Sequence, residues 1–286
     1  VPTVPARLAL DETEWTRPAL AAFASGVDLV EVKGLPPTLE PGAALEMRLL
    51  WRVTSPPPEE FTVFAHLVDR SGTRWSGHDA VPFQELFPPT LWQRGEFVEE
   101  VRQVGVPQEL PPGIYTLRIG QYRLQGGRVG AIPAVTSGGH ASAVEVQTWV
   151  VLPGTGGFAE AQPINARFGD RLILRGYRLE RGPSAVHATL YWEAERSIEE
   201  TLVVSVQALD EAGRLIAQHD GEPVDGRLPT WSWHPNVVVR DDHTVAVPSA
   251  GEAKRVVVVV YERSTLRRLP VTDGRATLPD ALALEE

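Results

Sequence analysis

The 286-residue sequence predicts an all-β protein of two tandem antiparallel β-sandwich domains, jelly-roll-like and related by internal duplication. Three observations carry that expectation. Apolar residues alternate with period 2 in eight segments, Gly/Pro turn signals fall between them, and rare landmarks of the first half recur in the second at a fixed offset.

The strand segments are Ala44 to Val53, Phe61 to Asp69, Ile114 to Tyr122, Ala143 to Leu152, Leu172 to Leu179, Val186 to Glu193, Leu202 to Leu209 and Arg255 to Tyr261. All are rich in β-branched and aromatic residues, which suit a pleated, half-buried surface. Between them stand Glu40-Pro41-Gly42, Arg70-Ser71-Gly72, Pro111-Pro112-Gly113, Gln125-Gly126-Gly127, Arg181-Gly182-Pro183, Glu211-Ala212-Gly213 and Thr272-Asp273-Gly274. Such clusters supply the dihedral angles that tight turns demand. Only Arg17 to Ser25 reads as a short helix, with Thr16 as its cap and Pro18 in the first turn.

The repeat is carried by residues that rarely coincide. At a shift of 141, Leu50-Trp51 falls on Tyr191-Trp192, Asp69 on Asp210, Gly72 on Gly213, His78-Asp79 on His219-Asp220, and Trp92 on Trp233. Phe23…Gly34 also lies near Phe168…Gly176. The domain plan is a lead-in over 1–26, a first repeat over 27–152, a Gly/Pro linker over 153–167 and a second repeat over 168–286. The linker, opening Pro153-Gly154-Thr155-Gly156-Gly157, is flexible by composition. Each repeat has a strand ending in Trp, a hairpin with Asp first and Gly fourth, a return strand ending at His-Asp, and an irregular Pro/Trp-rich loop. Long connections of this kind suit a jelly roll better than an up-and-down barrel.

Composition narrows function by exclusion. The chain has 27 basic and 37 acidic residues, net −10, and so lacks the basic surface of a general nucleic-acid or anionic-membrane binder. With no Cys, disulfides, Cys-ligated zinc, iron–sulfur clusters and thiol catalysis are excluded. The longest unbroken apolar run, Val256 to Tyr261, is far short of the roughly 20 residues of a membrane helix. No signal peptide opens the chain, and a start at Val1 points to an excised segment or processed form.

A longer pattern joins these landmarks. Phe168-Gly169-Asp170 runs to Gly176-Tyr177; Leu-x-Trp, His-Asp and Pro follow, then Pro229-Thr230-Trp231-Ser232-Trp233-His234-Pro235-Asn236. Pro-Pro-Gly-Ile-Tyr-Thr-Leu closes the first copy. The pattern resembles the soluble β-sandwich region that trails the membrane portion of some bacterial glycosyltransferase family 39 (mannosyltransferase-like) proteins. The match spans nearly the whole chain but rests on turns and core positions. The first copy departs more, because Lys33-Gly34-Leu35 lacks the Tyr and Gln93-Arg94-Gly95-Glu96 lacks the Pro. The resemblance implies an extracytoplasmic location in a membrane-anchored parent, and no catalytic residues in this region.

Candidate site residues come from the aromatic loops. Trp92, Trp231, Trp233 and His234 are expected as ligand contacts, since exposed indole faces stack on sugar rings. The competing reading makes Trp92 and Trp233 plugs at the ends of the sandwiches, which leaves Trp231, aligned with Leu91, as the best surface candidate. Trp51 and Trp192 read as core. His78-Asp79 and His219-Asp220 read as strand-end Asp residues capping the next turn beside half-exposed His, rather than as chelates, because strand neighbours face opposite ways. His234, Asp241, Asp242 and His243, or calcium through Asp79, Glu85, Asp220 and Glu222, are weaker metal readings. Asp241 and its counterpart Glu100 read as exposed or turn carboxylates. No metal or cofactor is therefore expected.

No Gly-x-Ser-x-Gly, P-loop, Gly-x-Gly-x-x-Gly or His-Glu-x-x-His motif occurs, so no enzyme is expected. The expected function is a non-catalytic extracytoplasmic module holding a glycan or glycosylated acceptor near a membrane glycosyltransferase. The alternative is a structural or protein–protein interaction region of a larger membrane protein.

Overall fold

A computed structural model describes residues 7–8, 15–83, 86–248, 253–272 and 279–285. It divides into two compact units, the first comprising Val1–Leu110 and Ile114–Val151 and the second Pro111–Gly113 and Leu152–Glu286. All eight expected strand segments are strands, each within about three residues of its predicted ends.

The first unit contains β1 (Arg7–Leu8), β2 (Ala21–Phe23), β3 (Val27–Lys33), β4 (Ala44–Val53), β5 (Thr62–Asp69) and β6 (Arg74–Ala80). It continues with β7 (Phe97–Gly105), β8 (Gly113–Gln125), β9 (Arg128–Ile132), β10 (Ala134–Thr136), β11 (Gly139–Ala141) and β12 (Ala143–Val151). One antiparallel sheet runs β1-β7-β4-β3-β2-β10-β11. The other runs β12-β8-β5-β6, with β9 paired to β8. The alternation in β4 turns Leu45, Met47, Leu49, Trp51 and Val53 inward, against Val63, Ala65 and Leu67 of β5 and Leu117 and Ile119 of β8.

The second unit contains β13 (Gln162–Phe168), β14 (Leu172–Arg181), β15 (Ala185–Ala194), β16 (Leu202–Leu209) and β17 (Leu215–Gly221). After these come β18 (Val238–Ala246), β19 (Arg255–Glu262), β20 (Val271–Thr272) and β21 (Leu282–Leu284). Its sheets run β18-β15-β14-β13-β20 and β17-β16-β19-β21, and its core centres on Phe168, Leu190, Trp192, Val204, Val206 and Val258.

With the core strands lettered in chain order, both units have A-B-E in one sheet and C′-C-F-G in the other. That is the order of immunoglobulin-type sandwiches. The antiparallel sandwich matches the expectation, but the jelly-roll strand order does not. The connections that suggested it, 54–61 and 81–96 in the first unit and 195–201 and 222–237 in the second, are sheet-to-sheet crossovers.

The two units correspond in detail. In each hairpin an Asp carboxylate accepts the backbone N–H four residues on (Thr73 to Asp69, 3.0 Å; Arg214 to Asp210, 2.8 Å) and a Gly takes positive φ (Gly72, Gly213). A register shift follows at Leu67/Val68 and at Ala208/Leu209. This is the turn-plus-bulge expected from Asp-x-x-Gly spacing. A Phe ring packs on each core Trp: Phe23 on Trp51 at 6.2 Å and Phe168 on Trp192 at 5.3 Å.

Three local expectations differ. The expected helix of Arg17 to Ser25 contains instead β2, with Ala21 and Phe23 buried and Ala22 exposed, an alternation that serves a sheet edge. The sheets also extend past the sequence boundaries: β2 lies in the 1–26 lead-in and β13 in the 153–167 linker. The Gly-rich start of that linker is fastened down. Tyr191 donates its hydroxyl to the Gly156 carbonyl at 2.8 Å, and the Phe158 ring packs on Tyr191 at 5.1 Å. Gly157 takes φ +81°, and a Cβ there would come within 3.0 Å of the Tyr191 hydroxyl, so glycine serves close approach here rather than freedom. The turn at Asp273-Gly274 lies outside the described residues.

Candidate functional site

The loop Trp residues separate into two kinds. Short 3-10 turns at Pro89–Leu91 and Thr230–Ser232 place Trp92 and Trp233 inward, where each indole N–H donates to the carbonyl five residues back. Trp92 reaches Phe87 at 3.2 Å and Trp233 reaches Leu228 at 2.9 Å. Both rings are buried, at 1% and 4% exposure, and Trp92 sits edge-on to Phe61 at 6.1 Å. Neither ring can offer a face to a ligand, which corrects the expectation for these two residues. Trp231 is 45% exposed and His234 is exposed. Trp51 and Trp192 are fully buried, as their mid-strand positions require.

A different cluster lines a groove on the outer face of the β12-β8-β5-β6 sheet. Because Val63, Ala65 and Leu67 of β5 point into the core, Phe64 and His66 point out. Phe64 lies opposite Gly120 of β8 and His66 opposite Gly77 of β6. A Cβ at Gly120 would meet the Phe64 ring at 2.3 Å, and one at Gly77 would meet the His66 ring at 2.6 Å. Bare backbone beside each ring therefore lets it lie down on the sheet. Phe64 stacks with Tyr122 (6.3 Å, 29° between planes) and with His66 (4.5 Å, 32°), so three rings form one platform.

Polar groups edge the platform. Asp79, opposite Phe64 on β6, receives a hydrogen bond from His66 Nε2 at 2.7 Å and one from Arg74 Nη2 at 3.1 Å. Burial lowers the His66 pKa below its ordinary value, Asp79 opposes that shift, and nearby Arg74 adds to it. The ring is therefore neutral at pH 7, with Nε2–H donated to Asp79 and Nδ1 carrying a lone pair as an acceptor. Val129, Ala131 and Ser142 complete a groove of about 320 Å³. This volume lies at the low end for small-molecule sites.

Outward aromatics on a strand that also keeps a buried face were the signal available in Thr62-Val63-Phe64-Ala65-His66. Sequence reasoning missed them because the partner glycines lie on other strands.

In the second unit, Ser205 and Gln207 stand at the positions of Phe64 and His66, and they pair with Val259 and Gln218 rather than glycine. Ser205 is buried. The platform therefore belongs to the first unit alone.

The His-Asp pairs do not cap turns as expected. Asp79 works within the platform, His78 is exposed, and Asp220 accepts from Tyr261 at 3.3 Å and Gln218 at 3.2 Å. Glu100 and Asp241, expected as exposed carboxylates, are 5% and 1% exposed, because strand alternation turns them inward. Glu100 receives the Trp51 indole N–H at 3.1 Å and Arg102 Nε at 2.9 Å. Arg102 continues to the Val63 and Ala80 carbonyls at 3.1 and 2.8 Å. Burial pushes the Glu100 carboxyl above its ordinary range, against the pull of Arg102. Asp241 and Asp242 face opposite sides of β18, and Glu222 pairs with Arg263. Glu85 lies outside the described residues. Among the described residues, no three His, Asp or Glu side chains are disposed to hold a metal ion, and no helix is long and apolar enough to cross a membrane.

No family model matches the chain, and no curated protein matches it. Among solved structures it is similar to the partial N-terminal region of an enterococcal surface protein, at 8% identity and a TM-score of 0.24, covering 87% of this chain and 93% of that one. It is also similar to Ruminococcus gnavus β-glucuronidase in complex with uronic isofagomine, at 12% identity and a TM-score of 0.17. That alignment covers 85% of this chain and 37% of the glucuronidase. At these TM-scores neither likeness carries an argument.

Proposed function

We propose that the chain is a non-catalytic glycan-binding module whose site is the Phe64–Tyr122–His66 platform of the first unit. A sugar ring has an apolar face of C–H groups and a rim of hydroxyls. The flat-lying Phe64 and Tyr122 rings match the face. Asp79, His66 Nδ1 and Ser142 match the rim as acceptors and, for the serine, donor. The observation that carries this reading is the pairing of each outward ring with a cross-strand glycine in one unit and of neither in the other. A fold that only needed a sheet would not require that difference.

We also read the two units as copies of one ancestral domain, supported by their shared strand order, hairpins and buried Trp turns. The motif resemblance supports placing the module outside the membrane, beside a membrane glycosyltransferase. The absence of hydrolase motifs from the sequence supports a binding role over catalysis. A second reading has an observation of its own. Leu124 and Val129, paired across the β8–β9 hairpin, are 64% and 67% exposed, an apolar tip suited to protein contact.

Calorimetric titration with a panel of neutral, amino and acidic oligosaccharides separates these readings. The glycan reading expects saturable binding lost in Phe64→Ala and Tyr122→Ala and kept in Trp231→Ala. Loss in Trp231→Ala alone would move the site to the second unit. A flat response to the whole panel by folded protein would overturn the glycan reading in favour of protein contact.

A further inference from the structure

We propose that the second unit contains a pH-operated latch, in which Asp241 holds the His243 ring, and His243 and His219 close one side of the sandwich through one shared hydrogen and part when acidification protonates both rings. β17 and β18 are edge strands of the unit's two opposing sheets, and they lie side by side. His219 on β17 and His243 on β18 meet across that seam, Nδ1 to Nδ1 at 2.9 Å, with their rings edge-to-face.

The proton count follows from the partners. Asp241 and His243 are 1% and 3% exposed. Asp241 Oδ2 accepts from His243 Nε2 at 2.8 Å, and its Oδ1 accepts the Val224 backbone N–H at 2.8 Å. The hydrogen on His243 Nε2 is thus committed to the carboxylate. Its Nδ1 faces His219 Nδ1 at a distance that holds one hydrogen, N–H···N, whichever ring carries it. A proton added at His219 Nε2 leaves that single hydrogen in place, whereas protonation of both rings sets N–H against H–N and places two imidazolium charges in contact. The seam must then open.

The surrounding charges do not substitute for the shared proton. Asp220, beside His219, is engaged by Tyr261 and Gln218. Glu222 pairs with Arg263, Asp225 with Arg227, and Asp242 with Arg240 on the far face of β18. On β15, Ala188 lies opposite His243, while neighbouring His187 bonds Thr244. Among the described residues, Asp241 is the carboxylate bonded to the pair. Through Val224 it also tethers the 222–228 loop, whose Leu228 carbonyl receives the Trp233 indole N–H. Opening the seam frees the loop that leads to Trp231.

The first unit is a built-in control. At a shift of 141 its seam carries Glu100 for Asp241 and Arg102 for His243, and Arg102 bonds two backbone carbonyls. Arginine keeps its proton throughout the physiological range. One seam is therefore closed by a side chain that keeps its proton, and the other by two imidazole rings joined through one hydrogen.

The test is hydrogen exchange of the full chain at pH 8 and pH 5, corrected for intrinsic rates, with a His-resolved NMR titration beside it. Peptides over 217–228 and 238–246 are expected to open at least about tenfold more at pH 5, equivalent to one pKa unit of coupling between the rings. Peptides over 74–80 and 97–105 are expected to change far less. His219→Gln, half-exposed and unable to charge, should abolish the response, and His243→Arg, which copies the first unit, should do the same. Equal opening of both seams at pH 5, or an unchanged response in His219→Gln, would overturn the latch.

Discussion

The interior of the first unit can be probed through Arg102→Met. The substitution keeps an unbranched apolar stem and removes a guanidinium whose side chain is 1% exposed. Glu100 loses its cation, and the Val63 and Ala80 carbonyls lose their donors. Breaking a buried pair from one side costs about 3–5 kcal/mol, because the other charge stays behind uncompensated. The cost should also depend on pH. Burial already raises the Glu100 pKa, and the Arg102 charge is the strongest influence holding it down. A carboxyl whose folded pKa exceeds its unfolded value contributes fully below the unfolded value and loses that contribution as pH rises through the folded one. Without Arg102 this loss deepens, so the deficit of Arg102→Met should be larger at pH 8 than at pH 5. Hydrogen exchange of 62–69 and 97–105 measures the stability of this unit separately. The double variant Glu100→Gln/Arg102→Met should be less sensitive to pH than Arg102→Met. A deficit under about 1 kcal/mol, the scale of a surface pair, or one equal at both pH values, would refute the reasoning.

Further outcomes follow from the same geometry. Trp51→Phe removes a donor from the Glu100 carboxyl, whereas the Trp192 indole N–H has no hydrogen-bond partner among the described residues, so Trp51→Phe should cost roughly 1–3 kcal/mol more than Trp192→Phe. Denaturant unfolding of the two variants checks the difference. Gly120→Ala places a Cβ within 2.3 Å of the Phe64 ring and 2.7 Å of the Ser142 carbonyl, and should abolish oligosaccharide binding by tilting the ring off the sheet. Aromatic ring shifts in the NMR spectrum report that tilt. Because burial depresses the His66 pKa, its neutral form stabilises the fold fully above about pH 6.5, and that contribution declines as pH falls below it. The acid-side loss of stability should accordingly be shallower in His66→Gln than in wild type.

The framework was legible because it depends on residues close in sequence. Asp69 to Thr73 and Asp210 to Arg214 complete their turns within five residues, and the alternation in β4, β5, β15 and β16 fixes each buried face without knowledge of the partner sheet. The strand order was harder to read, since a crossover between sheets and a crossing within a jelly roll leave the same Pro-rich gap in a sequence. Flexibility was misjudged at Gly156 and Gly157 for a related reason. Glycine that permits motion and glycine that permits contact with Tyr191 look alike until the distant tyrosine is placed.

The same logic explains why the loop Trp residues drew attention and the platform did not. Trp92 and Trp233 sit in irregular, polar-looking segments, yet their own 3-10 turns fold them inward and satisfy their N–H groups locally. Phe64 sits in an ordinary strand, and its outward, flat-lying posture depends on Gly120, 56 positions away, and on Tyr122 two residue pairs further along β8. The correspondence between the two units is informative where it fails. Trp51 and Trp192 occupy matching positions because each sandwich needs a filled core. Phe64 faces Gly120 where the second unit has Ser205 and Val259, and Arg102 stands where it has His243. Positions equivalent in fold but different in chemistry are free of the demands of the sandwich itself. Here they coincide with the aromatic platform of the first unit and the His219–His243 seam of the second.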